Sequence, residues 1–291
     1  LTIFSIYVYL SMRVKFWGTR GSIPVPGPTT IRYGGNTTCV EVTGRDGTML
    51  IIDAGSGIRP LGADIMKRGK GGPIHVLFTH YHWDHIQGWP FFTPTYLPNS
   101  EFVIHGRASS PDELKAVFSD QMRFTYFPVE FKNLPCKFEF IPLKEDGLKI
   151  GSLNIQTINN CHPGGALGLR IAEKRHAFVF MTDHEASLTE ELPHPYADYV
   201  KFASRAQLLI HDSQFTDEEL PTHKTWGHSS YQESLRLAID SGARRLGLHH
   251  HAPERIDYEI DRFVTHCNRI LEEERASLDV FGLMEGMEFT L

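Results

Sequence analysis

Apolar positions fall into short runs broken by glycine-rich turns, and the spacing inside each run predicts its element. Residues 14–17 alternate apolar and polar side chains like a first strand. Runs at 39–42 and 49–53 read as further early strands, with Gly44-Arg45-Asp46-Gly47 as the turn between them. Residues 58–68 carry helical spacing that ends in the stretch 69–72. A buried strand follows at 76–79, with others at 102–105 and 153–158. Strands at 169–172, 177–181 and 207–210 and amphipathic helices at 229–241 and 256–274 complete the second half. The chain shows no internal repeat, low-complexity tract or linker, so the expectation is one domain over residues 1–291. The Glu272-Glu273-Glu274-Arg275 run reads as a solvated helix end.

The first eleven residues form an uncharged, mostly apolar stretch. It is too short to span a bilayer, and it lacks the basic start and small-residue cleavage site of a signal peptide. Met12 reads as the natural start, with residues 1–11 a non-native or disordered extension; a membrane tether is the alternative reading.

The densest chemistry lies just past the apolar run 74–78. His80, Tyr81, His82, Trp83, Asp84 and His85 place four metal-ligand side chains in six residues. In extended backbone, His80 and His82 point the same way and can share one cation. Asp84 and His85 lie where the chain must turn, within reach of a second. Imidazoles with a carboxylate suit zinc, manganese or iron(II) better than calcium. A solvated His-rich turn would not concentrate ligands so tightly.

Composition narrows the picture. The 291 residues are 41% hydrophobic and 22% charged, ordinary for a soluble globular protein. A formal charge of −6 weighs against a long nucleic-acid track, though not against a local basic pocket. Cys39, Cys136, Cys161 and Cys267 are scattered with no CxxC pattern, which suggests reduced thiols and a cytoplasmic protein. Cys161 reads as a buried thiol.

The segment Thr79-His80-Tyr81-His82-Trp83-Asp84-His85 resembles the metal-binding signature of the metallo-β-lactamase superfamily. Further elements arrive in that family's order: Ile51-Ile52-Asp53-Ala54-Gly55, His162 within Asn160-Cys161-His162-Pro163-Gly164, Asp183 after Phe180-Met181-Thr182, and His250 within His249-His250-His251. The resemblance implies an α/β (α+β) protein built as a four-layer αββα sandwich with two divalent cations at one edge, zinc first and manganese second. It implies that His80, His82 and His162 hold one metal, that Asp84, His85 and His250 hold the other, and that Asp183 bridges them. Asp53 would orient a ligand imidazole; an ordinary turn aspartate before Gly55 is the alternative. His82 stands where the superfamily's diiron oxidoreductases carry glutamate, which favours a hydrolytic site.

Two elements resemble the tRNase Z-like and carbon–phosphorus lyase-associated phosphodiesterases. Trp226-Gly227-His228-Ser229-Ser230 opens a helix, and Leu209-Ile210-His211-Asp212-Ser213 ends a strand. They imply a phosphodiesterase that attacks with a metal-bridging hydroxide. Asp84, Asp212 and His228 would form its catalytic set, and His228, fixed by Asp212, would protonate the leaving oxygen; a histidine that only caps the helix is the alternative. An ester, thioester or lactone hydrolase of the same fold, and a metal-binding sensor without catalysis, are the alternatives. The segment from Pro163 to Thr182 has no room for the long arm of true tRNase Z enzymes. With the negative charge, this leads to small cyclic or linear phosphodiesters as substrates and to partners that include no extended nucleic acid and no membrane. The family makes a homodimer plausible. Expected substrate contacts are Asn36 and Thr37 in a Gly-rich turn, and Arg123 and Tyr126 in an aromatic segment read as a pocket wall, with Trp89, Phe91, Phe92, Tyr96, Phe124, Phe127 and Phe131; core packing or a dimer surface is the alternative reading of these aromatics.

Overall fold

The computed structural model describes residues 11–69, 71–143, 147–186 and 193–291. The reading of the N-terminal stretch therefore lies, Ser11 apart, outside the described residues.

The first half runs β1 (Arg13–Gly18), β2 (Cys39–Thr43), β3 (Met49–Ile52), α1 (Ile58–Arg68), β4 (Ile74–Leu77), the one-turn α2 (Trp83–Ile86), β5 (Glu101–Gly106), α3 (Pro111–Gln121) and β6 (Lys137–Pro142). The second half runs β7 (Leu148–Ile150), β8 (Leu153–Asn160), β9 (Ala166–Glu173), β10 (His176–Met181), α4 (Tyr196–Ala203), β11 (Leu208–Asp212), α5 (Tyr231–Ser241), β12 (Arg245–His249), α6 (Asp257–Glu274), β13 (Asp279–Gly282) and β14 (Glu288–Thr290). One sheet has the order β14-β1-β2-β3-β4-β5-β6, the other β13-β12-β11-β10-β9-β8-β7. Both begin antiparallel and become parallel, at β3–β4 in the first and β10–β11 in the second.

Side-chain alternation explains the layers. In β3, Leu50 and Ile52 face the opposite sheet while Met49 and Ile51 face α1. Phe16, Leu77, Leu169, Phe178, Phe180 and Ile210 fill the space between the sheets. Ile58, Leu61 and Ile65 of α1 pack on the outside of the first sheet, and Leu235 of α5 with Phe263 and Cys267 of α6 on the outside of the second. The result is the expected αββα order. Burying each large side chain contributes about 1.5–3 kcal/mol, so the two sheets hold each other rigid behind the loops at their ends.

Several elements differ from the sequence reading. The strand expected at 76–79 is β4, which ends at Leu77, so His80 and His82 sit in a loop rather than on extended strand. The helix expected from Ser229 starts at Tyr231, because Ser230 and Glu233 form a reciprocal capping box, and Gly242 closes it at φ 63°. The aromatic segment is not one wall. It holds α3, capped by Ser110 with Pro111 in its first turn, and Trp89, Phe92 and Phe131 are buried beneath it. Phe91, Phe124 and Tyr126 stay exposed. Among the described residues no helix is long and apolar enough to cross a membrane.

Candidate metal centre and catalytic site

The functional side chains gather where strands end. Asp53 follows β3, the His80–His85 loop follows β4, Asp183 follows β10, Asp212 ends β11 and His250 follows β12. Open α/β sheets place ligand sites outside the carboxyl ends of parallel strands, where loops diverge and leave a crevice. His162 joins them from the loop after β8.

Among the described residues four overlapping groups of ligand atoms form there, each with its members within 4.8 Å of one another: His80, His82 and His162; Asp84, His85, Asp183 and His250; and two that include His228, one with His162 and Asp183 and one with Asp212 and His250. His82 Nδ1 lies 3.0 Å from His162 Nε2. In the second group, Asp84 Oδ2 is 3.3 Å from His85 Nε2 and 3.2 Å from His250 Nε2. Asp183 spans the first two groups. Its Oδ2 is 3.2 Å from His85 Nε2, and its Oδ1 lies 3.7 Å from His80 Nε2 and 3.8 Å from His162 Nε2. Among the described residues His80 Nε2 is buried with no hydrogen-bond partner, a costly state for a ring nitrogen that a cation between the groups would relieve. The donor set, imidazoles with two carboxylates, fits divalent metals of the zinc and manganese type.

Four of the five rings, all but His82, which turns its Nδ1 toward His162, are anchored on the edge away from the cluster. Asp53 Oδ2 is 2.8 Å from His85 Nδ1, and the same carboxylate accepts from Thr79 N and Thr79 Oγ1, each at 2.8 Å. Gln214 Oε1 is 2.8 Å from His250 Nδ1, Gly227 O is 3.1 Å from His162 Nδ1, and Thr79 Oγ1 is 3.2 Å from His80 Nδ1. These partners hold the Nδ1 protons and leave Nε2 facing inward. Of the three consecutive histidines, only His250 joins the cluster. His249 packs against Phe180 between the sheets, and His251 Nε2 reaches Leu283 O at 3.0 Å.

Backbone strain marks the same places. Asp53, Asp183 and His250 adopt left-handed φ values of 59°, 54° and 60°, a conformation that costs non-glycine residues on the order of 1–3 kcal/mol. Burial pushes His80 well below the ordinary imidazole range and His162 down to about 4, leaving both neutral and ready to ligate. For His85 and His250 burial acts in the same direction, but Asp84 and Asp183 outweigh it. His85 is held well above its ordinary value and His250 at about 9.

His228 lies beside the cluster. Its Nδ1 is 2.8 Å from Asp212 Oδ2, and its ring stacks on His250 at 4.8 Å. Asp212 is buried and also accepts from the backbone N–H groups of Asp183, Gln214 and Ser229. One carboxylate thus ties together the segments that carry His228, His250 and Asp183.

The expected substrate contacts fare differently. Asn36 donates from its backbone N and from Nδ2 to Glu285, and Thr37 Oγ1 accepts from Ser56 N and Gln87 Nε2. Both side chains brace the loop behind the site. Arg123 is paired with Asp120 three residues earlier, and neither it nor Tyr126 lines the clefts at the cluster; α3 carries that segment away. Two clefts of about 840 and 440 Å³ open beside His80, His82 and His162. Arg107 lines both, and the sequence reading missed it. The available signal was its position, immediately after the predicted strand 102–105 and Gly106. Cys161, expected to be buried, is half-buried and lines the smaller cleft.

Comparisons with known proteins agree with this architecture. Residues 48–251 match the family described as the beta-lactamase superfamily domain. The chain is 27% identical over 283 residues to ribonuclease Z of Haloferax volcanii, covering 83% of this chain and 84% of that protein. Among solved structures it resembles the metallo-beta-lactamase fold protein YhfI of Bacillus subtilis, with TM-score 0.71, 18% identity, and 96% and 99% of the two chains covered. It also resembles the short form of human tRNase Z, with TM-score 0.65, 20% identity, and 95% and 98% covered. These relatives overturn the expectation of no extended nucleic acid, because proteins named as ribonucleases match most of the chain. Residues 163–182 do hold little more than the β9–β10 hairpin, but a missing arm and a negative net charge are weak grounds for excluding RNA when binding depends on local charge at a cleft. From the family match, the strand-end ligand cluster and the four-layer sandwich, this chain belongs to the β-lactamase superfamily.

Proposed function

We propose that this metal-dependent hydrolase cleaves phosphodiester bonds of RNA-type substrates. His80, His82 and His162 would hold one divalent cation, Asp84, His85 and His250 the other, and Asp183 would sit between them. Zinc suits the imidazole-rich donors best, with manganese second. Bound there, the cations would supply Lewis-acid charge stabilisation and lower the pKa of water toward about 7. Asp53 keeps the His85 ring turned inward, as Gln214 does for His250.

The observation that carries the reading is the His228–Asp212 pair, 2.8 Å apart at the edge of the cluster. A metal-binding sensor has no use for an acid–base group beside its metals. An imidazole whose Nδ1 proton is held by a buried carboxylate can carry a second proton on Nε2 and pass it to a departing alkoxide oxygen. The names of the relatives support phosphodiesters over thioesters and lactones. Four scattered cysteines with no disulfide among the described residues support a reducing, cytoplasmic setting.

The test is hydrolysis of bis-p-nitrophenyl phosphate and short RNA by zinc- or manganese-loaded protein, with 2′,3′- and 3′,5′-cyclic nucleotides as comparators. His228→Ala is expected to lower kcat about 10²–10⁴-fold with metal content unchanged. Turnover of a thioester or lactone instead would move the assignment to another ester, and full metal sites without any turnover would indicate a sensor.

A further inference from the structure

Arg107 stands at the cleft wall beside the cluster, and no ion pair ties up its guanidinium among the described residues. It follows β5 directly, on the strand next to β4, which delivers the His80–His85 loop. Tyr81, lying between His80 and His82, has its hydroxyl 2.8 Å from the Arg107 carbonyl and pins that residue's backbone to the metal-ligand loop. The guanidinium lies over Gly165, where any Cβ would overlap its Nη1; Gly165 also has φ +79°. Glycine there leaves the space the arginine uses. Glu113 lines the larger cleft, but its carboxylate accepts from Ser109 N and Ser109 Oγ rather than from Arg107. Among the described residues Arg107 has no ion pair, although the chain carries an excess of acidic residues.

Its position between the clefts defines what it can hold. Arg107, Asn159, Pro163 and Gly165 form the wall common to both. The larger cleft reaches His80 and His82, and the smaller reaches His162 and Gly227, next to His228. A substrate centred on the metals would extend into one cleft or both, passing the guanidinium. Arginine's planar fork suits a phosphate with two parallel hydrogen bonds.

We propose that Arg107 binds the phosphate neighbouring the scissile one, so that the protein selects a nucleic-acid strand over an isolated phosphodiester. The inference rests on the phosphodiesterase reading and adds a specificity-determining residue to it. The experiment compares wild type, Arg107→Gln and Arg107→Lys on bis-p-nitrophenyl phosphate, a dinucleoside monophosphate and a trinucleotide. For Arg107→Gln, KM for the trinucleotide should rise about 10–100-fold, the worth of a hydrogen bond to a charged group. kcat, and KM for the two single-phosphate substrates, should stay within about twofold. Arg107→Lys should recover part of the loss. The slope of log affinity against log salt for the trinucleotide should shrink by about one contact.

Equal losses on all three substrates, or no loss on any, would overturn the proposal. Anisotropy binding of the labelled trinucleotide and dinucleoside to zinc-loaded protein carrying His228→Ala separates the two readings. Arg107-dependent preference for the trinucleotide without wild-type turnover would refute the phosphodiesterase and keep the phosphate site. Normal turnover with no Arg107-dependent preference would do the reverse.

Discussion

Asp53→Asn tests how the scaffold prepares the metal centre. The wild-type carboxylate receives three hydrogen bonds, all at 2.8 Å, from Thr79 N on Oδ1 and from Thr79 Oγ1 and His85 Nδ1 on Oδ2. Asparagine can keep the first by presenting its carbonyl oxygen to Thr79 N, which places an NH₂ group against His85 Nδ1. Two donors then face each other unless His85 moves its proton to Nε2. That nitrogen faces Asp84 and Asp183 at 3.3 and 3.2 Å, where a metal would need its lone pair. A buried donor left facing a donor costs about 1–3 kcal/mol, and loss of such an orienting partner typically weakens metal affinity about 10–100-fold. The two figures agree, since tenfold corresponds to about 1.4 kcal/mol. The backbone should be indifferent, because asparagine tolerates the left-handed φ of 59° at this position. Chelator competition with metal counting should show one of two zinc ions released about 10–100-fold more readily, the other within about threefold of wild type, and an unchanged circular dichroism spectrum. Asp53→Asn protein that retains both ions at wild-type affinity would refute the orienting role.

Two other perturbations follow from the same geometry. Gly227 has φ +88°, and a Cβ there would overlap His162 Nδ1; Gly227→Ala should therefore displace His162 and reduce metal stoichiometry from two toward one, measured by elemental analysis, and retention of two ions would count against the His80, His82 and His162 site. In metal-free protein His250, raised to about 9 by Asp183 and Asp84 against the cost of burial, contributes stability that is complete below its unfolded value near 6.5 and is lost as pH rises through 9. The Tm of metal-free protein should accordingly fall between about pH 6.5 and 9.5, and zinc loading at pH 7 should release protons that diminish by pH 9.5; a flat Tm and no proton release would contradict that electrostatic picture.

The sequence by itself determined the parts of this protein that are local in the chain. Helix 58–68 was legible because Ile58, Leu61 and Ile65 repeat at helical spacing, and strands such as 177–181 because an apolar run buried on both faces reads as a strand from composition alone. The candidate ligand types were legible because four metal-binding side chains fall within His80–His85. Edge elements escaped notice. β6 is half exposed and ends in Pro142, and β14 is only three residues long; their pairing depends on partners far away in the chain.

Only the tertiary structure decided which candidates converge. Among three adjacent histidines it turned His250 toward Asp84 and sent His249 into the core, because the chain leaves β12 through a left-handed residue. It drew Asp212 and His228 together across sixteen residues. It placed Arg123 in the exposed stretch after α3, away from the two clefts beside the cluster, and put Arg107 at the wall of both. Spacing along the chain specifies which way a side chain points on its own element. Distance between elements is set by how two sheets pack, and that depends on the whole core at once.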